Sequence, residues 1–123
     1  MYVPTRDVDD TAEHYVEVLG ADLHWKVRGM GTVVACLTMA GSGPAILLSG
    51  HLHGDVPILV YRVEDYRATV EALRAGGARE LHEIEIPHGP LASFRAAGGQ
   101  RYAVDQLVRP EAASYFEGRI DEP

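Results

Sequence analysis

The chain gives one order of elements twice, and that repeat constrains its fold more than any other feature. Near the start, MYVPTRDVDD runs from a short apolar stretch through an arginine into acids; at 57–66, PILVYRVEDY does the same. After each phrase the apolar positions recur at i, i+3, i+4 and i+7. They are Ala12, Tyr15, Val16 and Leu19 the first time, and Tyr66, Thr69, Val70 and Leu73 the second. That spacing lays one apolar stripe along a helix. It predicts a first helix over 9–19, opened by a capping box of Asp10 and Glu13 and stopped by the glycine of LGA at 19–21. A second helix is predicted over 65–75, stopped by GGA at 76–78.

Each predicted helix follows a short strand and precedes three extended stretches. These are 22–29, 32–40 and 44–50 after the first helix, and 79–86, 91–96 and 101–108 after the second. GMG, GSGP, PHGP and GGQ punctuate the junctions with the residues that turns favour. Asp65 follows Asp7 by 58 positions, GGA follows LGA by 57 and Arg101 follows Pro44 by 57. A nearly constant offset over separated landmarks marks an internal duplication. The chain therefore reads as α+β, a single domain over 1–110 made of two tandem βαβββ modules, about 1–52 and 56–110, with a tail over 111–123.

Size and charge narrow the classes of function. At 123 residues the chain is long enough for one core, yet near the size at which a partner subunit often adds stability. Hydrophobic residues make up 46% and charged residues 24%, a globular balance. The net charge of -7 argues against nucleic acid, because neutralising phosphates takes clustered Lys and Arg; it suits attraction of cationic small molecules. The single cysteine, Cys36 in VVACLTM, has no internal disulfide partner and reads as a core thiol. No basic stretch followed by an apolar one opens the chain, and no window approaches the ~20 apolar residues of a membrane span. The expectation is a cytoplasmic protein with no membrane or nucleic-acid partner.

DVDDTAEHYVEVLG at 7–20, RVEDYRATVEALRAGGA at 62–78 and GGQRYAVDQL at 98–107, set on two βαβββ modules, resemble the vicinal oxygen chelate superfamily. That superfamily contains glyoxalase I, extradiol dioxygenases, fosfomycin-resistance enzymes and bleomycin-resistance proteins. The resemblance implies a cupped mixed sheet, with two half-cups enclosing a small-molecule site, often across a homodimer. It also implies a divalent metal held by His, Gln or Glu from the first and last strands of each module. The pattern H-x-x-x-R-V-x-D, counted back from Asp65, puts that ligand position on Ile58; counted back from Asp7 it falls before Met1. The closing pattern G-N-x-x-E, laid on GGQRYA, puts it on Ala103, and in AILLS at 45–49 only Ser49 carries a donor atom. A metal of this kind needs imidazole or carboxylate, so no metal and no other cofactor is expected. His51 and His53 in HLH share one side of an extended segment, but between two glycines they read as solvated loop residues.

Strand alternation then assigns faces. If Ile58 and Ala103 hold the inward ligand positions, Val60 and Arg62 share the face of Ile58, while Arg101, Asp105 and Leu107 share that of Ala103. Tyr2 and Pro4 face inward from the first strand, and Leu59, Tyr61 and Val63 pack beneath the second helix. The expected site has an apolar floor with Arg62, Arg101 and Asp105 as polar anchors. Trp25, the only tryptophan, either packs in the core or corresponds to the aromatic groove residues that the resemblance implies for stacking on planar ligands. His88, in the PHGP turn, and Asp105 are the candidate acid–base residues. In the tail, Pro110 at a first helical position with Tyr115, Phe116 and Ile120 predicts a short amphipathic helix covering a sheet or a partner, its last residues frayed. The function expected is metal-independent binding of a small molecule, sequestering an antibiotic or metabolite. The alternative is a lyase, isomerase or dioxygenase-like enzyme of the same superfamily, working by side-chain acid–base chemistry or a nonstandard metal site. A third reading fills the cup with side chains and assigns the function to the surface.

Overall fold

Two aspartates begin the two helices of this computed structural model, which describes residues 1–39, 43–52, 54 and 56–123, Ala113 by its backbone alone. Residue 40 of the expected third strand and His53 of the HLH pair lie outside the described residues. Helix α1 spans Val8–Leu19 and α2 spans Tyr66–Ala75. The residue before each is extended, Asp7 at φ -133 and ψ 93, Asp65 at φ -127 and ψ 93. The Asp7 carboxylate accepts from the Asp10 N–H at 3.0 Å, and that of Asp65 accepts from the Ala68 N–H at 3.0 Å. The cap of α1 is thus Asp7 rather than Asp10. Only a residue still extended ahead of the first turn can bend its carboxylate back onto the orphan amides, and Asp10 is already helical.

The chain divides into two compact units, Met1–Pro57 with Phe116–Pro123, and Ile58–Tyr115. In the first, β1 (Tyr2–Pro4), β2 (Ala21–Gly29), β3 (Thr32–Met39) and β4 (Ile46–Ser49) form a sheet in the order β1-β4-β3-β2. In the second, β5 (Leu59–Arg62), β6 (Arg79–Ile86), β7 (Gly89–Arg95) and β8 (Arg101–Asp105) repeat that order as β5-β8-β7-β6. Each unit pairs its first and last strands in parallel and the rest antiparallel, so the fold is α+β with two βαβββ modules, each a mixed four-stranded sheet. Strand β8 stops at Asp105, which leaves Leu107 exposed and off the sheet face where alternation had put it. Gln106 follows, its N–H still donating to Pro90 O of β7 at 3.2 Å and its side-chain oxygen accepting from the Tyr66 N–H at 2.8 Å.

Register assigns the faces, since residues paired across a ladder share a side. In the first unit Val8 and Ala12 of α1 pack on Ala21, Ala35, Leu37, Ile46 and Leu48. In the second, Tyr66 and Val70 of α2 pack on Ala92, Phe94 and Val104, with Val63 and Tyr102 at the margin. Leu59 and Tyr61 do not join them; they stay 43% and 52% exposed. They sit on the edge strand β5, while the buried stripe of α2 covers β7 and β8, so Tyr61 leans only on Tyr102 at 6.0 Å between ring centroids.

The tail also differs from expectation. A short 3-10 helix, Pro110–Ser114, gives way to a turn over 115–118 and then to a short extended strap along the outer edge of β2. Gly118 donates to His24 O at 3.0 Å, Lys26 donates to Arg119 O at 2.8 Å and Asp121 donates to Lys26 O at 2.8 Å. The Asp121 carboxylate accepts from the Arg28 N–H at 2.9 Å, so the tail is anchored rather than frayed as far as this residue. A helix here would leave the edge amides and carbonyls of β2 without these partners; an extended strap satisfies them.

Candidate functional site

Only two described residues are both polar and buried, Ser49 and Asp105, and they close β4 and β8. They are equivalent in the repeat, because Ser49 pairs with Pro4 as Asp105 pairs with Arg62. Asp105 is 4% exposed, and a carboxylate so placed is costly unless partners compensate it. The first partner is His88, whose Nε2 lies 2.6 Å from Asp105 Oδ2. The second is Arg62, donating from Nε to Oδ1 and from Nη2 to Oδ2, both at 3.4 Å.

The turn between β6 and β7 delivers His88, and the chain after β8 holds that turn. The carbonyl of His88 accepts the N–H groups of Val108 at 2.9 Å and Arg109 at 3.0 Å. Arg109 donates from Nε to Pro87 O at 2.8 Å and from Nη2 to Ile86 O at 3.0 Å, and pairs with Glu85. The approach is close enough to require glycine at 89, where a Cβ would stand 2.0 Å from Gln106 O. Around the polar cluster, Val60, Leu91 and Ala103 supply an apolar floor on the same face.

Arg62, His88 and Asp105 therefore meet, with Val60 and Ala103 beside them. Arg101 shares the face but lies four residues from Asp105 along β8, about 13 Å at strand rise, and donates to Ser93 Oγ at 3.2 Å. Ile58, half-buried, precedes β5. Trp25 belongs to the first unit, where Phe116 of the strap packs on it at 5.3 Å between centroids. Leu91, Ser93 and Arg109 were not anticipated; the alternation of β7 could have suggested the first two once its register with β8 was known.

The residues do not fit a divalent metal at the positions that the resemblance implies. Register equates Ala103, paired with Val60, with Leu47, paired with Tyr2. Ile58, Ala103 and Leu47 offer no lone pair, and Ser49 Oγ donates to the Leu47 carbonyl at 3.3 Å. Among the described residues no group of three or more His, Cys, Asp or Glu is placed to hold a metal ion. Glu83 faces the helix side, where it accepts from the Tyr66 hydroxyl at 2.8 Å; burial first, then this bond, pushes that hydroxyl up to about 12. Two open hollows of about 340 Å³ lie in the first unit, one along α1 at Asp10, His14 and Glu17, the other around the β2–β3 turn at Gly29 and Gly31. No helix among the described residues is long and apolar enough to cross a membrane.

The family model described as Glyoxalase/Bleomycin resistance protein/Dioxygenase superfamily matches residues 1–100. No curated protein sequence matches the chain. Among solved structures, methylmalonyl-CoA epimerase from Mycobacterium tuberculosis is similar with a TM-score of 0.71 and 22% identity, over 91% of this chain and 88% of that one. A hypothetical protein from Bacillus halodurans C-125 is similar at 0.69 and 16%, over 88% and 91%. The Streptomyces coelicolor methylmalonyl-CoA epimerase, solved with 2-nitronate-propionyl-CoA, is similar at 0.65 and 16%, over 88% and 94%. At these identities the likeness is one of fold.

Proposed function

This chain belongs to the glyoxalase/bleomycin resistance protein/dioxygenase superfamily, and from that premise we propose that it binds a small molecule without a metal, on the sheet face carrying Arg62, His88 and Asp105. The observation that carries the reading is the buried Asp105 carboxylate held by two side chains above the aliphatic floor of Val60, Leu91 and Ala103. A buried ion pair is seldom the cheapest way to stabilise a fold, and apolar residues of similar volume often do as well. A few convergent polar groups over an apolar floor are what a ligand site requires. Capture of an antibiotic or metabolite, rather than metal-assisted turnover, is supported by the aliphatic side chains at the family's ligand positions.

The test combines metal analysis with thermal shift. Untagged protein is expected to carry no stoichiometric Zn, Ni, Mn or Fe and to keep its midpoint after EDTA. Members of a small-molecule library should raise that midpoint by mass action, and the rise should vanish in Arg62→Ala and Asp105→Asn. A retained stoichiometric metal, or shifts that survive both substitutions, contradicts the reading.

The 2.6 Å contact of His88 with Asp105 favours a second reading, an enzyme that moves a proton. A carboxylate that orients an imidazole suits it to take a proton from carbon beside a carbonyl and to return it. In that case His88→Gln stops solvent-deuterium exchange into a bound ligand while leaving its affinity within about twofold; unchanged exchange discards this reading.

A further inference from the structure

We propose that Arg62 is the receptor for a carboxylate group, so that the ligand is an organic acid; this rests on the binding face described above. A guanidinium has two forks, one formed by Nε and Nη2, the other by Nη1 and Nη2. Arg62 turns the first fork onto Asp105, Nε to Oδ1 and Nη2 to Oδ2. Its second fork is left over. Among the described residues Nη1 of Arg62 has no hydrogen-bond or ion-pair partner, and the side chain is 54% exposed. Asp105 thus fixes the guanidinium plane while the outer fork is presented to whatever approaches the face.

The other arginines of this unit, Arg79 apart, are differently employed. Arg67 and Arg74 donate to Glu83, Arg95 to Glu80 and Gly99 O, Arg101 to Ser93, and Arg109 to two carbonyls and Glu85. Arg62 is itself held loosely. Its contacts with Asp105 are long, at 3.4 Å, and His88 at 2.6 Å takes the closer share of that carboxylate. A ligand cation would have to displace His88 or Arg62 from a buried carboxylate whose two oxygens are both engaged. A ligand carboxylate displaces only solvent from the outer fork, and a two-oxygen planar anion matches that fork bidentately. On the same face lie Val60, half-buried, and Leu91 and Ala103, both buried.

Benzoate, its neutral isostere benzamide and the cation benzamidine are the probes, read by amide shifts at Val60, Leu91, Ala103 and His88. Benzoate is expected to move these signals and to bind about tenfold more tightly than benzamide, the margin of a charge-assisted bidentate contact. Arg62→Lys, which keeps the charge and loses the fork, should weaken benzoate about tenfold and leave benzamide unchanged. Benzamide or benzamidine binding this face as tightly as benzoate overturns the carboxylate assignment and leaves the binding site standing. Failure of all three probes to move these signals overturns both. Should the Lys variant change its spectrum throughout, the benzoate-to-benzamide ratio in the native protein decides the matter alone.

Discussion

Asp7 and Asp65 show why the doubled phrase is doubled. Each stands extended before its helix and returns its carboxylate to the amide three residues on, at 3.0 Å in both cases. The phrase therefore encodes a strand end followed by a cap, and an aspartate is needed because the first helical amides have no partner within the helix. Asp65→Ala is expected to cost about 1 kcal/mol in urea denaturation, and Asp65→Asn most of an order less, since the amide oxygen still accepts. Asp105 is a different kind of aspartate. It occupies the place that Ser49 holds in the first module, but with His88 and Arg62 brought to it. Sequence spacing put Asp105 on the inward face beside Arg62 yet could not join it to His88. That contact needs the β6–β7 turn to fold back onto the end of β8.

The strap is the element whose behaviour follows least from its own composition. PEAASYFEGRIDEP has the apolar spacing of a short helix, but Pro110–Ser114 winds into a 3-10 helix and 115–118 into a turn. The open edge of β2 offers more: backbone pairing from His24 to Lys26, a ring contact between Trp25 and Phe116, and a fastening at Asp121. The Arg119 guanidinium, followed by the Arg28 amide, holds the Asp121 carboxyl down at about 2, below its ordinary value of 3.8. A carboxyl lowered by folding adds stability that is present above its unfolded value and is lost as pH falls towards the folded one. Acidification from about pH 4 to about pH 2 should therefore loosen the strap and red-shift the emission of Trp25, the only tryptophan. In Asp121→Asn that fluorescence step should be missing from the same window. A step of full size in the variant would assign it to another group.

Each unit of the molecule repeats one topology and builds its own apolar cluster, so stability is carried by few fully buried side chains. Leu48 is one of them, 0% exposed between β1 and β3. A domain of this size is stable by only ~5–15 kcal/mol, and Leu48→Ala should remove about 2–5 of them. The thermal midpoint is then expected to fall by roughly 10 °C, measured by calorimetry. At this scale the duplication, the two helices, the strand order along the chain and the shared face of Val60, Arg62, Ala103 and Asp105 were legible in the sequence. Those features rest on periods of 3.6 and 2, which the backbone imposes locally. The exposure of Leu59 and Tyr61 was not legible, because it depends on which strands α2 covers. Nor was the pairing of Trp25 with Phe116, 91 positions apart, or of His88 with Asp105, 17 apart. By itself the sequence determined two modules and which residues of a strand share a face. Only the tertiary structure decided which inward charges meet, because that depends on cross-strand register and on where a turn and a tail close back on the sheet, and no local periodicity records either.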